Sequence, residues 1–160
     1  LQPGVALPRV NRGVVRVSLG DRTGARDDFD EAIRLDPGMA EAWFDRGLLR
    51  FRGDDPPGGL ADFDRAIELA PGNVRYLYER ARTREATHDL AGACADYDSV
   101  LAIEPGRLEA RIRRGRARAN LGDLDGAIGD LEEALRAAPE GWVDRAEVER
   151  ALALLRADRK

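Results

Sequence analysis

Arginine and aspartate recur in this chain at one fixed interval. Arg12, Arg46, Arg80 and Arg114 stand 34 residues apart, as do Arg16, Arg50, Arg84 and Arg118, and as do Asp28, Asp62, Asp96 and Asp130. The two arginines of each set are four residues apart, so on a helix they share a face. A guanidinium is a planar fork that can hold one carboxylate at two points, which makes this spacing suited to charge-assisted hydrogen bonds. If consecutive helices pack antiparallel, Arg12 meets Asp28, Arg46 meets Asp62, Arg80 meets Asp96 and Arg114 meets Asp130, forming a structural ladder. An exposed rung adds at most about 1 kcal/mol; a buried rung chiefly penalises the loss of one partner. The other reading of the second arginine column is a stripe that binds anions.

Other reactive groups are sparse. The single histidine, His88, neighbours Asp89, and the single cysteine, Cys94, follows on the next helix. A metal site wants several converging ligands, so these three are too few, and no metal or other cofactor is expected. The acidic pairs Asp54-Asp55 and Glu132-Glu133 fall in a loop and on a repeating helix, which gives no support to glycosidase chemistry. No nucleophile elbow, phosphate loop or zinc-binding helix motif occurs, so no catalytic residue is assigned and the chain is expected not to be an enzyme. Residues 107–118 hold six arginines and one glutamate, Glu109. Such a run can meet nucleic acid, but no aromatic interleaves it for base stacking, and Arg114 and Arg118 belong to the ladder columns. A partly paired, solvated helix fits better.

The elements that must position these columns follow from the same interval. Pro3, Pro37, Pro71, Pro105 and Pro139 keep the 34-residue step, as do Phe29, Phe63, Tyr97 and Leu131, and Ala32, Ala66, Val100 and Ala134. A fixed period of this size marks stacked repeats. Each unit reads as two helices. The first runs over 6–19, 40–52, 74–87 and 108–121; the second over 23–36, 58–70, 90–104 and 124–138. Gly20-Asp21 and Gly122-Asp123 mark the inner turns, since glycine ends a helix and aspartate opens the next. The prolines mark the turns between units. The cluster Gly53 to Gly59 predicts a longer inner turn that shortens both flanking helices of the second unit and is the likeliest mobile segment. The repeats divide as 6–39, 40–73, 74–107 and 108–141, with 142–160 as a capping helix and 1–5 as the end of an upstream repeat, all in a single domain. In the cap Val143, Ala146, Val148, Ala151, Leu152, Leu154 and Leu155 form the apolar stripe, with Trp142 packed under it.

Composition limits the partners. The net charge of −4, with 35% charged residues, describes a solvated surface of mixed sign rather than a polycation. The basic residues are 25 arginines and Lys160; with abundant alanine, glycine and aspartate this resembles a high-GC bacterial genome. One cysteine excludes an internal disulfide and fits a reducing, cytoplasmic setting. No apolar run reaches membrane-spanning length.

The period, the two-helix unit and the pattern of small residue, aromatic and proline together resemble the tetratricopeptide repeat. The second unit carries the likeness best, in Trp43, Gly47, Phe63, Ala66 and Pro71. The first shows Gly13, Gly20, Ala25, Phe29, Ala32 and Pro37. The third shows Ala81, Ala93, Tyr97 and Pro105 with Val100 in place of alanine, and the fourth Gly115, Gly122, Ala127, Ala134 and Pro139 with Leu131 in place of the aromatic. The resemblance implies an all-α fold, a right-handed superhelical solenoid with a concave groove lined by the first helix of each unit. It also implies a binding scaffold for peptides or helices of other proteins, generally without catalysis.

On that family pattern the groove is lined by Val10, Val14 and Val17, then Phe44, Asp45, Leu48 and Arg52, then Arg75, Tyr78, Glu79, Arg82 and Glu85, and last Ile112, Arg113, Arg116 and Asn120. Phe44 and Tyr78 are the expected aromatic anchors, and the arginine excess toward the C-terminal end favours an acidic ligand. One branch of the family grips a C-terminal carboxylate; its positions fall here on Val10, Val14, Asp45, Arg75 and Glu79. Only Arg75 is basic, so that grip is not expected. The leading function is a scaffold for a protein or peptide ligand. The alternatives are self-association into a homo-oligomer, or a regulatory segment of a larger enzyme or signalling protein.

Overall fold

The computed structural model describes residues 3–159, and every regular element among them is an α-helix. In order these are α1 (Pro3–Ser18), α2 (Arg22–Leu35), α3 (Ala40–Phe51), α4 (Pro56–Leu69), α5 (Val74–Ala86), α6 (Leu90–Ile103), α7 (Leu108–Asn120), α8 (Leu124–Ala137) and α9 (Arg145–Asp158). The chain forms two compact halves, Leu1–Thr83 and Arg84–Lys160, with the boundary inside α5. Helices α1 and α2 pack together, as do α3 and α4 in the first half and α7 and α8 in the second. Each packed pair is antiparallel. Arg12 reaches Asp28 while Arg16 reaches Gly24, so the contacts converge on the inner turn.

That turn is built the same way four times. Asp21, Asp55, Asp89 and Asp123 cap the second helices, accepting a hydrogen bond from the backbone N–H of Gly24, Gly58, Gly92 and Gly126 at 2.9–3.0 Å. The residue before each cap has a positive φ: Gly20, Asp54, His88 and Gly122. Glycine meets this conformation without steric cost; Asp54 and His88 adopt it in the two middle turns. The place of His88 is therefore a backbone requirement of the turn.

The second unit departs from the sequence expectation. Gly53 to Gly59 does not shorten α4, which at 14 residues equals its counterparts α2, α6 and α8. Pro56 and Pro57 occupy the first positions of α4, where a missing N–H costs nothing and the fixed φ suits a helix. Only α3 ends slightly early, at Phe51. At the other end α1 begins at Pro3, ahead of the expected residue 6, and runs through Pro8, its sixth residue, where the missing N–H removes one helix hydrogen bond. Pro3 to Val5 thus continue a helix instead of forming a turn, and Leu1 and Gln2 lie outside the described residues.

The small and aromatic columns make the core. Phe29 of α2 is buried against α1, and a Cβ on Gly13 would stand 2.6 Å from its ring. Phe63 of α4 meets Gly47 of α3 in the same way, at 2.8 Å. Glycine there lets two helices approach until the aromatic fills the space between them. In the second half Ile112, Ile128, Leu131 and Ala134 form a core that Val148 and Leu152 of α9 close, with Trp142 packed at its edge. The cap is narrower than its sequence stripe. Val143 is 91% exposed and Leu154 68% exposed. Val143 precedes the helix, and Leu154 lies on the far side from Leu152 because two residues span 200° of helical turn. Among the described residues no helix is long and apolar enough to cross a membrane.

Candidate functional site

The arginine columns turn inward, and this decides which surface remains for a ligand. Asp62 is 2% exposed and receives Arg46 through Nε at 2.9 Å and Nη2 at 2.7 Å. Arg12 grips Asp28 with the same fork, at 2.9 and 2.5 Å, and Arg114 grips Asp130 likewise. Hydrogen bonds from Arg12 hold the Asp28 carboxyl below its usual range. The remaining expected rung, Arg80 with Asp96, joins residues of different halves and stays an expectation.

The second column is not an anion stripe. Arg16, Arg50, Arg84 and Arg118 reach the same buried carboxylates, Asp28, Asp62, Asp96 and Asp130, at 2.8, 3.0, 2.8 and 2.9 Å. A carboxylate has lone pairs enough for two guanidiniums, so both columns are spent on one aspartate per repeat. A further aspartate column, which the sequence reading passed over, completes the network. Asp30 lies 2.7 Å from Arg46, Asp64 2.8 Å from Arg80 and Asp98 2.5 Å from Arg114, each tying one repeat to the next. All three sit sixteen residues before their arginine, and that shared offset was the available signal.

The basic run of α7 is also paired. Arg107 contacts Glu104, Arg111 contacts Glu133, Arg113 contacts Glu85 and Glu109, and Arg116 contacts Glu147. Arg111 is buried and donates to the Pro105 carbonyl, as the Trp43 indole, at the same pattern position two repeats earlier, does to Pro37. With Arg114 and Arg118 in the network, each of the six arginines lies beside a carboxylate.

The expected groove residues divide into three groups. Phe44, Tyr78 and Ile112 are 0, 5 and 8% exposed. Phe44 stacks on Tyr76 at 4.5 Å and meets Phe63 at 5.6 Å, while Ile112 belongs to the core under α9. The two aromatics expected as surface anchors are therefore core residues; Val10 is buried with them. Arg82, Arg113 and Arg116 are held by glutamates. Leu48, Arg52 and Arg75 stay accessible, while Asp45 is buried.

These last residues line a pocket of ≈ 190 Å³ in the first half, between Val14 and Val17 of α1, Phe29 of α2, and Leu48 and Leu49 of α3. Arg22 at its wall is tied to the Leu49 carbonyl at 2.9 Å, and the Arg75 guanidinium lies 4.5 Å over the Phe44 ring. Asp45 is only 9% exposed and makes no hydrogen bond or ion pair among the described residues. Burial pushes its carboxyl up to about 6, against the pull of Arg75 and helped by Glu41. A larger hollow of ≈ 320 Å³ near the inner turn of α3 and α4 is lined by Arg22, Arg26 and Arg50, but Arg50 is already committed to Asp62. In the second half a hollow of ≈ 230 Å³ lies between α7 and α9, lined by Ile112, Arg113, Arg116 and Glu147.

The raised Asp45 has a stability consequence. Its ordinary value is 3.8, so between about pH 4 and pH 6 the folded protein holds a proton that the unfolded chain releases. Stability therefore falls as pH rises through that window. Asp45→Asn is expected to remove the loss, making the variant more stable by about 1–3 kcal/mol at pH 7 and nearly equal to the parent near pH 4. Urea titrations across pH check this; a variant less stable at pH 7 would contradict it.

Burial pushes the Cys94 thiol up, which disfavours the thiolate. Among the described residues no three His, Cys, Asp or Glu side chains converge as metal ligands.

Comparison with known proteins agrees with this architecture. A family model described as tetratricopeptide repeat matches residues 10–74 and 75–141. Solved structures share the fold at low identity. A tetratricopeptide repeat protein from Parabacteroides merdae has a TM-score of 0.86 at 20% identity, over 96% of this chain and 60% of that one. MamA from Desulfovibrio magneticus has a TM-score of 0.84 at 18% identity, over 96% and 85%. The first such domain of Spaghetti (RPAP3), bound to the HSP90 peptide SRMEEVD, has a TM-score of 0.72 at 23% identity, over 76% and 97%. No curated protein matches the chain.

Proposed function

The chain belongs to the tetratricopeptide repeat family, and we propose that it is a protein-interaction scaffold that holds an extended or helical segment of a partner on its first-helix faces. The observation that carries this reading is the pocket beside Leu48: an apolar hollow bordered by two accessible arginines, Arg52 and Arg75, in a protein whose other arginine columns are consumed internally. Leu48, Val14 and Val17 supply apolar contact, and the exposed Arg52 and Arg75 beside them would receive acidic residues of the segment. A domain of the same fold bound to the peptide SRMEEVD lends the reading support at the level of fold. The arginines of α7 contribute less to an acidic preference, since each already faces a carboxylate.

The test is selection of twelve-residue peptides from a displayed library against the whole chain. Selected peptides are expected to lose at least about tenfold in affinity to Leu48→Glu and to Val14→Glu, because each places a charge in the apolar contact. Val143→Glu, at a site 91% exposed and remote from the pocket residues in sequence, should change nothing. Peptides indifferent to both pocket substitutions would refute the assignment.

Self-association is the second reading, favoured by the exposed apolar residues of α1 and its end: Val5, Leu7, Val15 and Leu19 are 46, 46, 55 and 77% exposed. It requires a concentration-dependent mass in light scattering that Val15→Glu with Leu19→Glu abolishes.

A further inference from the structure

Asp45 is an unusual wall for an apolar pocket. The residue is 9% exposed, lines the pocket together with Val14, Val17 and Leu48, and makes no side-chain hydrogen bond or ion pair among the described residues. An ionised group in such a place is costly unless something pairs with it. Arg75 acts on it through charge alone, with its guanidinium over the Phe44 ring, and Arg22 donates to the Leu49 carbonyl. The fold thus leaves the Asp45 carboxylate, which water still reaches, without a side-chain donor of its own, on the wall of a hollow that it shares with Val14, Val17 and Leu48.

We propose that this pocket takes a lysine or arginine side chain of the bound segment, with the aliphatic stem against Val14, Val17 and Leu48 and the cation on the Asp45 carboxylate. The inference rests on the reading of the first-helix face as the binding surface and adds the chemical class that the surface selects. A long basic side chain matches the site because its stem is apolar and only its tip carries charge. Arg52 and Arg75, both exposed, line the same pocket, so the ligand is a basic residue flanked by acidic ones. The charged and titratable groups around Asp45 are Glu41 on its own helix, Arg75 and Tyr76 on α5, Arg22 at the start of α2 and Arg52 past the end of α3; α1 presents Val14 and Val17. Glu41 adds negative potential, and Arg75 opposes it.

The experiment is a titration of the isotope-labelled whole chain, followed by amide shifts, with three capped residues: Nα-acetyl-lysine amide, Nα-acetyl-norleucine amide and Nα-acetyl-glutamate amide. The lysine probe is expected to move the amides around Val14, Asp45 and Leu48 and to bind at least about tenfold more tightly than either other probe. Its binding should weaken by about tenfold between pH 7.5 and pH 5, as Asp45 takes up a proton, and should lose a similar factor in the Asp45→Asn variant. Norleucine binding as well as lysine would overturn the charge selection while leaving the pocket as a binding surface. Glutamate binding most tightly, or lysine binding unchanged in Asp45→Asn, would also overturn it. No shift at the pocket from any probe would overturn both this inference and the assignment of the surface.

Discussion

Asp62→Ala should lower the stability of the protein by about 3–5 kcal/mol. The carboxylate is buried and gathers two cations, Arg46 through a two-point fork and Arg50 at 3.0 Å. Its removal leaves the Arg46 guanidinium, whose side chain is 13% exposed, with Asp30 as its one remaining carboxylate. The loss comes mainly from that stranded charge, not from the worth of an ion pair in water. A comparison inside the same network isolates the cause. Asp64 pairs with Arg80 at a similar distance, 2.8 Å, but is 52% exposed. Water screens it, so Asp64→Ala should cost less than about 1 kcal/mol. Urea unfolding followed at Trp43, the tryptophan of the first half, reads both. Equal costs for Asp62 and Asp64 would mean that burial is not what gives the network its strength.

Phe44→Ala should be comparably severe, at about 3–5 kcal/mol. The ring is fully buried, stacked on Tyr76 and tilted against Phe63, and its removal empties the centre of the α3, α4 and α5 packing. The sequence expectation placed Phe44 on the surface as a ligand anchor, and that expectation has an opposite consequence: loss of binding with little loss of stability. A large fall in the urea midpoint supports the core role. A variant of parental stability that no longer binds the selected peptides would restore the anchor.

The contrast shows what the sequence carries and what it withholds. The proline, aromatic and alanine columns define the helix pairs because each reports a local need, a turn or a core position, that the period repeats. The forks from Arg12, Arg46 and Arg114 followed from the same arithmetic once antiparallel pairing was assumed. Four features did not follow. The second arginine column was ambiguous because a four-residue spacing gives a shared face and not the direction that face looks. Asp30, Asp64 and Asp98 kept the period in plain view, but their role needs the packing of one repeat on the next. Phe44 and Asp45 are adjacent, and one residue is about 100° of helix; a small error in placing the inner face therefore assigns a core aromatic to the surface. The Asp45 pocket depends on Val17, Phe29 and Arg22 arriving from two other helices, which no spacing within α3 reveals.

A double-mutant cycle on Arg46 and Asp62 tests most directly the idea that the arginine columns are internal ties, so that ligand contacts fall to the Leu48 face. Asp62→Leu, Arg46→Met and the pair together are to be unfolded in urea and followed at Trp43. The account predicts that the double variant recovers much of what either single change loses, with a coupling of about 2–3 kcal/mol. Additive losses, with a coupling near zero, would show that Arg46 and Asp62 act independently and would contradict it.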